Sequence, residues 1–268
     1  MYRPRSGLPD LPHAADLPRL STPRHHAAPD VIPDPITTIL FDAGDTLIAY
    51  RRPLRILLQD FFIAQNEILR RDAIAEALEA VNPRYRSLVE HIRTVEEERR
   101  MWIELARDLL DVLLPRRRDL YPQLAHWFSE AWKHLKVFRD VGPTLRKLRA
   151  RGYRLAVVAN WEPSLPTTLE KLGLRRHFET VVASAAEGIW KPDPRLFQIA
   201  LARLDVPPHV ALSVGDHVER DVEAARAAGL HGLLLDRFDD YPKFTPRVRT
   251  LAGLLEWLGI GESAPGPT

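Results

Sequence analysis

Asp42 is the residue of this chain whose position most directly suggests chemistry. It follows the run Thr37 to Phe41, which is apolar and β-branched and predicts a buried strand, and it precedes the predicted turn Ala43-Gly44-Asp45. Ligands of open α/β sheets bind beyond the carboxyl ends of the strands, so Asp42 is expected to project into a crevice as a candidate nucleophile. Single aspartates cap turns far more often than they catalyse, so this segment taken alone favours the structural role.

Three further segments follow along the chain. The run Tyr153 to Val158 ends in Ala159-Asn160, the segment Gly188 to Pro194 contains Lys191, and the run Ala211 to Val214 leads into Gly215-Asp216, with Asp221 five residues later. Together with the first segment they resemble the four motifs of the haloacid dehalogenase superfamily, whose members are mostly magnesium-dependent phosphatases. The order and spacing of the motifs carry the resemblance, which covers roughly Thr37 to Asp236.

The resemblance implies attack of Asp42 on a phosphoryl group. The resulting aspartyl phosphate divides one hard hydrolysis into two easier steps. Because an anion must approach another anion, the reaction needs screening by a cation, and Mg²⁺ prefers hard oxygen ligands. Asp42 and Asp216, at the ends of two strands, are the predicted carboxylate ligands, and the backbone carbonyl of Gly44 is the third ligand that the resemblance implies.

Lys191 and Asp221 are predicted to complete the site. Lys191 would place a fixed positive charge beside the transferring phosphoryl oxygens. A solvated surface lysine is the alternative, but lysine is scarce in this chain, and Lys191 lies in a tight turn between Trp190 and Pro192. Asp221 begins a helical pattern, where an acid complements the helix dipole, and by resemblance it would also orient Lys191 or a metal-bound water.

Two positions depart from the family pattern. Gly44 stands where the phosphatases usually carry a second aspartate, the general acid and base, which is typically worth about a hundredfold to ten-thousandfold in rate. Asp45, the next residue, does not obviously replace it. Ala159 stands where a serine or threonine usually donates to the phosphate, which leaves backbone amides and the Asn160 side chain as predicted phosphate donors.

These departures leave other functions open. The leading hypothesis is a magnesium-dependent phosphatase acting on a small phosphate monoester. The alternative is a binding or regulatory protein of the same fold with weak turnover, motivated by Gly44 and Ala159. A dehalogenase is less expected, since that branch is metal-independent and does not need the acids Asp216 and Asp221. The phosphonatase branch uses a lysine of the cap, and no lysine lies between Asp42 and Trp132.

Composition agrees with a cytoplasmic enzyme. The chain has 268 residues, enough for one core domain with a large insertion, and a net charge of +2, which indicates no nucleic-acid surface. It has no cysteine, which excludes a disulfide framework, a thiolate zinc site and a cysteine nucleophile. The sequence also has no apolar run of membrane-span length and no secretory signal, so neither a membrane partner nor export is expected.

An alternation of strands and helices predicts the fold class. It is an α/β protein with a Rossmann-like, mainly parallel sheet and helices on both faces. The predicted strands after the first are Tyr153 to Val158, Thr180 to Ala183, Val210 to Val214 and Gly232 to Leu235. The predicted helices that alternate with them are Val141 to Ala150, Ser164 to Leu172, Arg195 to Leu204, Val218 to Ala228 and Arg249 to Leu258.

A helical insertion interrupts this alternation. The patterns Leu54 to Leu69, Ala73 to Val81, Val95 to Leu114 and Leu120 to Leu135 contain no strand signal between them. By resemblance, residues 51–136 form an α-helical cap domain that closes over Asp42, while 36–50 and 137–260 form the core domain. Trp102, Trp127 and Trp132 of the cap are interpreted as core aromatics rather than a binding platform. Residues 1–35, rich in proline, and 261–268 are predicted to be disordered tails.

Overall fold

A computed structural model of the protein describes residues 35–260, so the two predicted tails lie outside the described residues, apart from Pro35. The strands are β1 (Thr38–Phe41), β2 (Ile48–Tyr50), β3 (Leu135–Val137), β4 (Arg154–Ala159), β5 (Thr180–Ala183), β6 (Ala211–Gly215), β7 (His231–Leu235) and β8 (Arg247–Val248). Six of them form one sheet in the order β5-β4-β1-β6-β7-β8, and every pairing in it is parallel. The predicted fold class is confirmed.

Ten α-helices accompany these strands in residues 35–260. They are α1 (Leu54–Ala64), α2 (Arg71–Val89), α3 (Val95–Leu113), α4 (Tyr121–Ser129), α5 (Val141–Ala150), α6 (Leu165–Lys171), α7 (Ser184–Glu187), α8 (Arg195–Leu204), α9 (Ala224–Ala227) and α10 (Leu251–Trp257). None of the helices in this range is both long and apolar enough to cross a membrane.

Helices cover both faces of the six-stranded sheet. Successive side chains of a strand point to opposite faces, so Phe41 of β1 packs in one apolar cluster with Leu145 of α5 and Leu254 of α10. Leu40 lies in the other cluster, with Phe197 of α8. A parallel sheet that is buried on both faces needs nearly continuous apolar strands, which is the pattern that made these strands recognisable in the sequence.

Strand β1 is the centre of the sheet. It pairs in parallel with β4 on one side and β6 on the other, and Phe41 is level with both Val157 and Val214. The three strands therefore end at the same edge. This register is what brings the residues that follow them within reach of one another.

The short strands β2 and β3 were not predicted. They form an antiparallel pair, with Ile48 opposite Val137, at the two junctions between the sheet and the helical insertion. The predicted helix from Leu120 to Leu135 is wrong in its last part, because α4 ends at Ser129 and a 3₁₀ turn leads into β3. Leu135 completes the helical spacing of apolar residues, but its backbone pairs with Tyr50 instead.

Two further helix boundaries differ from the predictions. Helix α1 ends at Ala64 rather than Leu69, and Asn66 just beyond it has a left-handed φ of 61°, which a continuing helix does not allow. Helix α2 runs on to Val89 through Pro83, although proline usually ends a helix. Tyr85 and Val89, both buried, attach this last part of α2 to the apolar core of the insertion.

The insertion has an apolar core of its own. Leu58, Phe62, Ile74 and Trp102 belong to one buried cluster that draws on all four helices α1 to α4. From the sheet side, Ala185 joins this cluster. The helical character of the insertion agrees with the sequence pattern, and its role as a separate cap domain stays a prediction.

The segment around Val222 packs closely against Gly232 of β7. A Cβ added at Gly232 would lie 2.7 Å from Val222 Cγ1 and 2.8 Å from its carbonyl oxygen. We expect Gly232→Ala to lower the free energy of unfolding by about 1–3 kcal/mol, the usual cost of overpacking. The measurement is chemical denaturation followed by circular dichroism.

Gly142→Ala is the matched control for Gly232→Ala. Gly142 lies in α5, and an added Cβ there would meet only the flexible end of Arg146, at 3.4 Å. Alanine favours a helix more than glycine does, so this variant should be unchanged or slightly more stable. Equal stability of the two variants would contradict the close packing of Val222 on β7.

Candidate active site

Asp42 lies at the carboxyl end of β1, the central strand. Its backbone N–H donates to the carbonyl of Val214 on β6 at 2.9 Å, which extends the sheet pairing by one residue. The chain then turns sharply, and Thr46 N donates to Gly44 O at 2.6 Å. Asp45, in this turn, has a left-handed φ of 50°. The turn directs the chain away from the sheet edge and leaves Asp42 there.

Lys191 is buried and lies between two carboxylates. Its Nζ donates to Asp42 Oδ1 at 2.7 Å, to Asp221 Oδ1 at 2.5 Å and to the carbonyl of Val158 at 2.9 Å. The three N–H donors of the ammonium group are therefore all used. Only 2% of the side chain is exposed, so the alternative of a solvated surface lysine is excluded.

Asn160 positions the segment that carries Lys191. Its side-chain oxygen accepts from Lys191 N at 2.8 Å, and its side-chain nitrogen donates to Lys191 O at 2.9 Å. This two-point contact fixes the lysine backbone to the end of β4. The structure thus gives Asn160 a positioning contact, while its predicted phosphate contact stays a prediction.

Asp221 approaches the end of β6 very closely. It lies in a π-helical run, Val218–Glu223, that begins the predicted helix after this strand and leads into α9. Its Oδ2 accepts from the backbone of His217 at 2.9 Å, and its side chain fills the space that a Cβ at Gly215 would need. Gly215 is therefore required by this contact, because any side chain there would collide with Asp221.

Asp216 completes an acidic cluster with Asp42 and Asp221. One carboxylate oxygen from each residue lies within 4.8 Å of the others. Both oxygens of Asp221 already accept hydrogen bonds, whereas Asp216 accepts none from the side chains and backbone of residues 35–260. Asp42 and Asp216 are thus the more open pair of carboxylates, and their predicted role as metal ligands stays a prediction.

The electrostatics of the cluster fit a divalent cation. Burial raises the pKa of Asp42, and Lys191 opposes this only in part. Burial, followed by repulsion from Asp42 and Asp221, raises the pKa of Asp216 well above its usual value. Burial would lower the pKa of Lys191, but Asp221 and Asp42 raise it. Lys191 pairs with Asp42 and Asp221 but not with Asp216, and the attraction of Arg220 is smaller than the effects that raise the pKa of Asp216, so a hard cation such as Mg²⁺ suits the remaining oxygens.

Trp161 lies next to Gly44, the position where phosphatases of this type usually carry a second aspartate. Its ring atom Cζ3 lies 3.7 Å from where a Cβ on Gly44 would be. Ser184 Oγ accepts from the Trp161 backbone at 3.0 Å and holds the residue in the loop after β4. Ala159, at the end of this strand, is buried and has no donor on its side chain. Both departures seen in the sequence thus lie at the same sheet edge as Asp42.

Sequence reasoning missed the residues just beyond Asn160. Glu162 is buried and accepts a hydrogen bond from Tyr85 of α2 at 2.5 Å. Ser164 donates through its backbone and its hydroxyl to Glu98 of α3, at 2.8 and 2.7 Å. The signal that could have found this group is a charged residue, Glu162, between Trp161 and Pro163 in the loop next to a recognised motif.

Comparison with known proteins decides the family. A family model described as haloacid dehalogenase-like hydrolase matches residues 36–229. The chain belongs to this family. A glyceraldehyde 3-phosphate phosphatase of Methanopyrus kandleri is 31% identical to this hydrolase over 224 residues, which is 79% of this chain and 88% of the relative.

Other similar proteins agree with this assignment. Human haloacid dehalogenase-like hydrolase domain-containing protein 3 is 42% identical over 121 residues, 45% of this chain and 46% of the human protein. In the cattle, human and mouse matches the chain spans less than half of the relative's length. A solved phosphatase structure from Thermococcus onnurineus superposes with a TM-score of 0.56 at 25% identity, covering 84% of this chain and 98% of that one.

Replacement of the buried ammonium group tests the electrostatic account of the site. Lys191→Met leaves Asp42 and Asp221 without the ammonium group between them, and the repulsion between the two carboxylates should raise the pKa of Asp42 in the folded protein further above its unfolded value. A carboxyl group with a raised pKa costs stability as the pH rises through that pKa. In a metal chelator we therefore expect a loss of about 3–5 kcal/mol at pH 8 and a smaller loss at pH 5.

The measurement is the free energy of unfolding at the two pH values. Lys243→Met, at an exposed lysine, should show no such pH-dependent loss. Addition of Mg²⁺ should restore part of the stability of Lys191→Met at pH 8. A loss of stability that is equal at both pH values would contradict repulsion among the carboxylates as its cause.

Proposed function

We propose that this hydrolase is a magnesium-dependent phosphatase that acts on a small phosphate monoester through an aspartyl-phosphate intermediate. The observation that carries the proposal is the Lys191 ammonium group, which bridges Asp42 and Asp221 beside the open carboxylate of Asp216. An ammonium group held at a nucleophilic carboxylate, with room for a metal ion, suits the transfer of a dianionic group. The phosphatase names of relatives and of a solved neighbour support the same reaction class.

Asp42 is the proposed nucleophile. One of its carboxylate oxygens forms a bond to phosphorus while the bond from phosphorus to the leaving-group oxygen breaks, and water then hydrolyses the aspartyl phosphate. Lys191 holds Asp42 in place and neutralises charge on the phosphoryl oxygens. Asp221 keeps the ammonium group in position. Mg²⁺, held by Asp42, Asp216 and the Gly44 carbonyl, would supply further charge neutralisation when bound.

The helices α1 to α4 are the proposed cap. In this division residues 51–136 form the cap domain and residues 36–50 and 137–260 the core domain, with β2 and β3 at the junction. The buried contacts of Tyr85 and Glu98 with the loop after β4 support this proposal, because they hold the insertion against the loop that follows the strand end. A closed cap excludes water and strengthens the electrostatic interactions inside.

The proposed activity should require both Mg²⁺ and the carboxylate of Asp42. The test is hydrolysis of an aryl phosphate, whose good leaving group makes the acid missing at Gly44 less important. We expect turnover that requires Mg²⁺ and falls by at least about a thousandfold in Asp42→Asn, since a neutral amide is not a nucleophile for this step. Steady-state release of the phenol measures it.

Asp205→Asn is the control for Asp42→Asn. Asp205 is exposed at the end of α8 with a left-handed φ of 53°, a conformation that asparagine also tolerates. This isosteric change should keep the wild-type rate. Equal rates of Asp42→Asn and wild type would contradict the nucleophile.

A second candidate function is a binding or regulatory role with little turnover. Gly44 and Ala159 favour it, because both remove groups that assist the reaction in phosphatases of this type. Its expected signature is a folded protein whose stability rises with Mg²⁺ and phosphate but which does not hydrolyse the aryl phosphate. The same assay therefore separates the two candidates.

The variant Gly44→Asp introduces an aspartate at the position where phosphatases of this type usually carry the general acid. The backbone of Gly44 is not in the left-handed region, and an added Cβ meets only Trp161 at 3.7 Å, so the side chain has space. We expect the rate on an alkyl phosphate, which needs a protonated leaving group, to rise by roughly a hundredfold. The rate on the aryl phosphate should change much less, and equal gains on both substrates would contradict a role in leaving-group protonation.

A further inference from the structure

A small cavity lies between the helical insertion and the loop that follows β4. Its volume is about 30 Å³, enough for one or two water-sized groups. Glu98 and Trp102 of α3 line it from the insertion, and Trp161, Glu162 and Tyr50 line it from the other side. The proposed reaction does not use any of these side chains.

The two carboxylates of the cavity have neutral partners only. Glu98 accepts from Ser164 N at 2.8 Å, from Ser164 Oγ at 2.7 Å and from Trp102 Nε1 at 3.3 Å. Glu162, which is 3% exposed, accepts a single hydrogen bond from another residue within 35–260, that of Tyr85. Its own backbone N–H also interacts with the carboxylate, and a carboxylate with about four acceptor sites still has capacity for another donor.

Neither carboxylate is paired with a cation of the described chain. In residues 35–260 no lysine or arginine forms an ion pair with Glu98 or Glu162. Burial, and then repulsion from Glu98, raises the pKa of Glu162 to about 7. Buried charges are normally paired. This pair must therefore take up either a proton or a cation that arrives with a ligand.

The walls of the cavity favour a cation. Trp161 and Tyr50 present aromatic rings, and an ammonium group is attracted to the face of such rings. Trp102 lines the cavity without offering a free face, because Tyr85 stacks on its ring with centroids 6.1 Å apart. Trp102 also stacks on Phe128 of α4 with ring centroids 5.2 Å apart, which fixes its orientation. The interpretation of Trp102 as a core aromatic is thus compatible with a second role as a cavity wall.

Trp161 connects the cavity to the proposed reaction site. It lines the cavity and also lies against Gly44, two residues from Asp42. Glu162 follows Asn160, which holds Lys191, by two residues. A leaving group that extends past Trp161 from a phosphate at Asp42 would reach this cavity.

We infer that the cavity binds a primary ammonium group on the leaving group, so that the preferred substrates are aminoalkyl phosphates. The inference rests on the proposed phosphatase function. A primary ammonium group is close to water in size and brings three donors, which suits the free capacity of Glu162 and the small volume. The ammonium group of the substrate would supply the positive charge that no lysine or arginine of residues 35–260 supplies to Glu98 and Glu162.

The test compares aminoalkyl phosphates with hydroxyalkyl phosphates of two, three and four carbons. Each pair differs only in an ammonium or a hydroxyl group at the end of the chain. We expect kcat/KM to favour the amine by roughly tenfold to a hundredfold at the chain length that reaches Glu162, as for a hydrogen bond between charged groups. An equal kcat/KM for amine and alcohol at every length would overturn the inference.

The variant Glu162→Gln tests whether Glu162 is the group that causes the preference for aminoalkyl phosphates. The amide oxygen can still accept from Tyr85, so the contact between α2 and the loop after β4 is retained. We expect the ratio of amine to alcohol to fall to about one, whereas Glu170→Gln, at an exposed glutamate of α6, keeps the wild-type ratio. A preference for amines that persists in a folded Glu162→Gln enzyme would overturn the inference.

A further test uses the wild-type enzyme and measures how the ratio of kcat/KM for amine and alcohol depends on pH. The ratio of amine to alcohol should rise as the pH passes through about 7, because ionised Glu162 binds the ammonium group and protonated Glu162 does not. The groups that face it are Glu98, whose pKa burial also raises, and Tyr85 and Tyr50, which burial keeps neutral in this range. A ratio that does not change with pH would contradict the assignment.

An aryl phosphate assayed in parallel separates the two proposals. Turnover of the aryl phosphate without any preference for amines leaves the phosphatase proposal in place and overturns the ammonium site. Absence of turnover on all substrates overturns both.

Discussion

The buried ammonium group of Lys191 is the interaction on which the rest of the site depends. It lies between Asp42 and Asp221 with distances of 2.7 and 2.5 Å and is almost fully withdrawn from water. A buried cation is tolerated only when it is paired and hydrogen-bonded, and here three acceptors surround it. The two carboxylates in turn need the cation, so Asp42, the proposed nucleophile, and Lys191 fix each other.

The sheet makes this arrangement possible. Parallel pairing of β1 with β4 and β6 brings three strand ends to one edge, so Asp42, Asp216 and the carbonyl of Val158 meet without long side chains. The contact with Asp221 further requires that Gly215 has no side chain. The charge balance nevertheless stays incomplete, because Lys191 pairs with Asp42 and Asp221 and leaves Asp216 without an ion-pair partner in residues 35–260, and this is the physical reason to expect a metal ion.

The core of this arrangement could be predicted from the sequence, because each strand is a continuous apolar run that ends in a polar residue. The strands β2 and β3 could not, since three residues carry too little pattern and Leu135 also fits a helical spacing. The role of Glu162 was missed for a different reason. Its environment is created by Tyr85 and Glu98, which are distant in sequence and meet it only in the folded chain.

Detection of the covalent intermediate tests the central claim most directly. Enzyme mixed with an excess of aryl phosphate and Mg²⁺ is quenched in acid within the first turnovers, and the peptide that contains Asp42 is examined by mass spectrometry. We expect a phosphoryl group on this peptide in wild type and none in Asp42→Asn. Rapid turnover by wild type with no trapped phosphoryl group on this peptide, or with the group on another residue, would contradict Asp42 as the nucleophile.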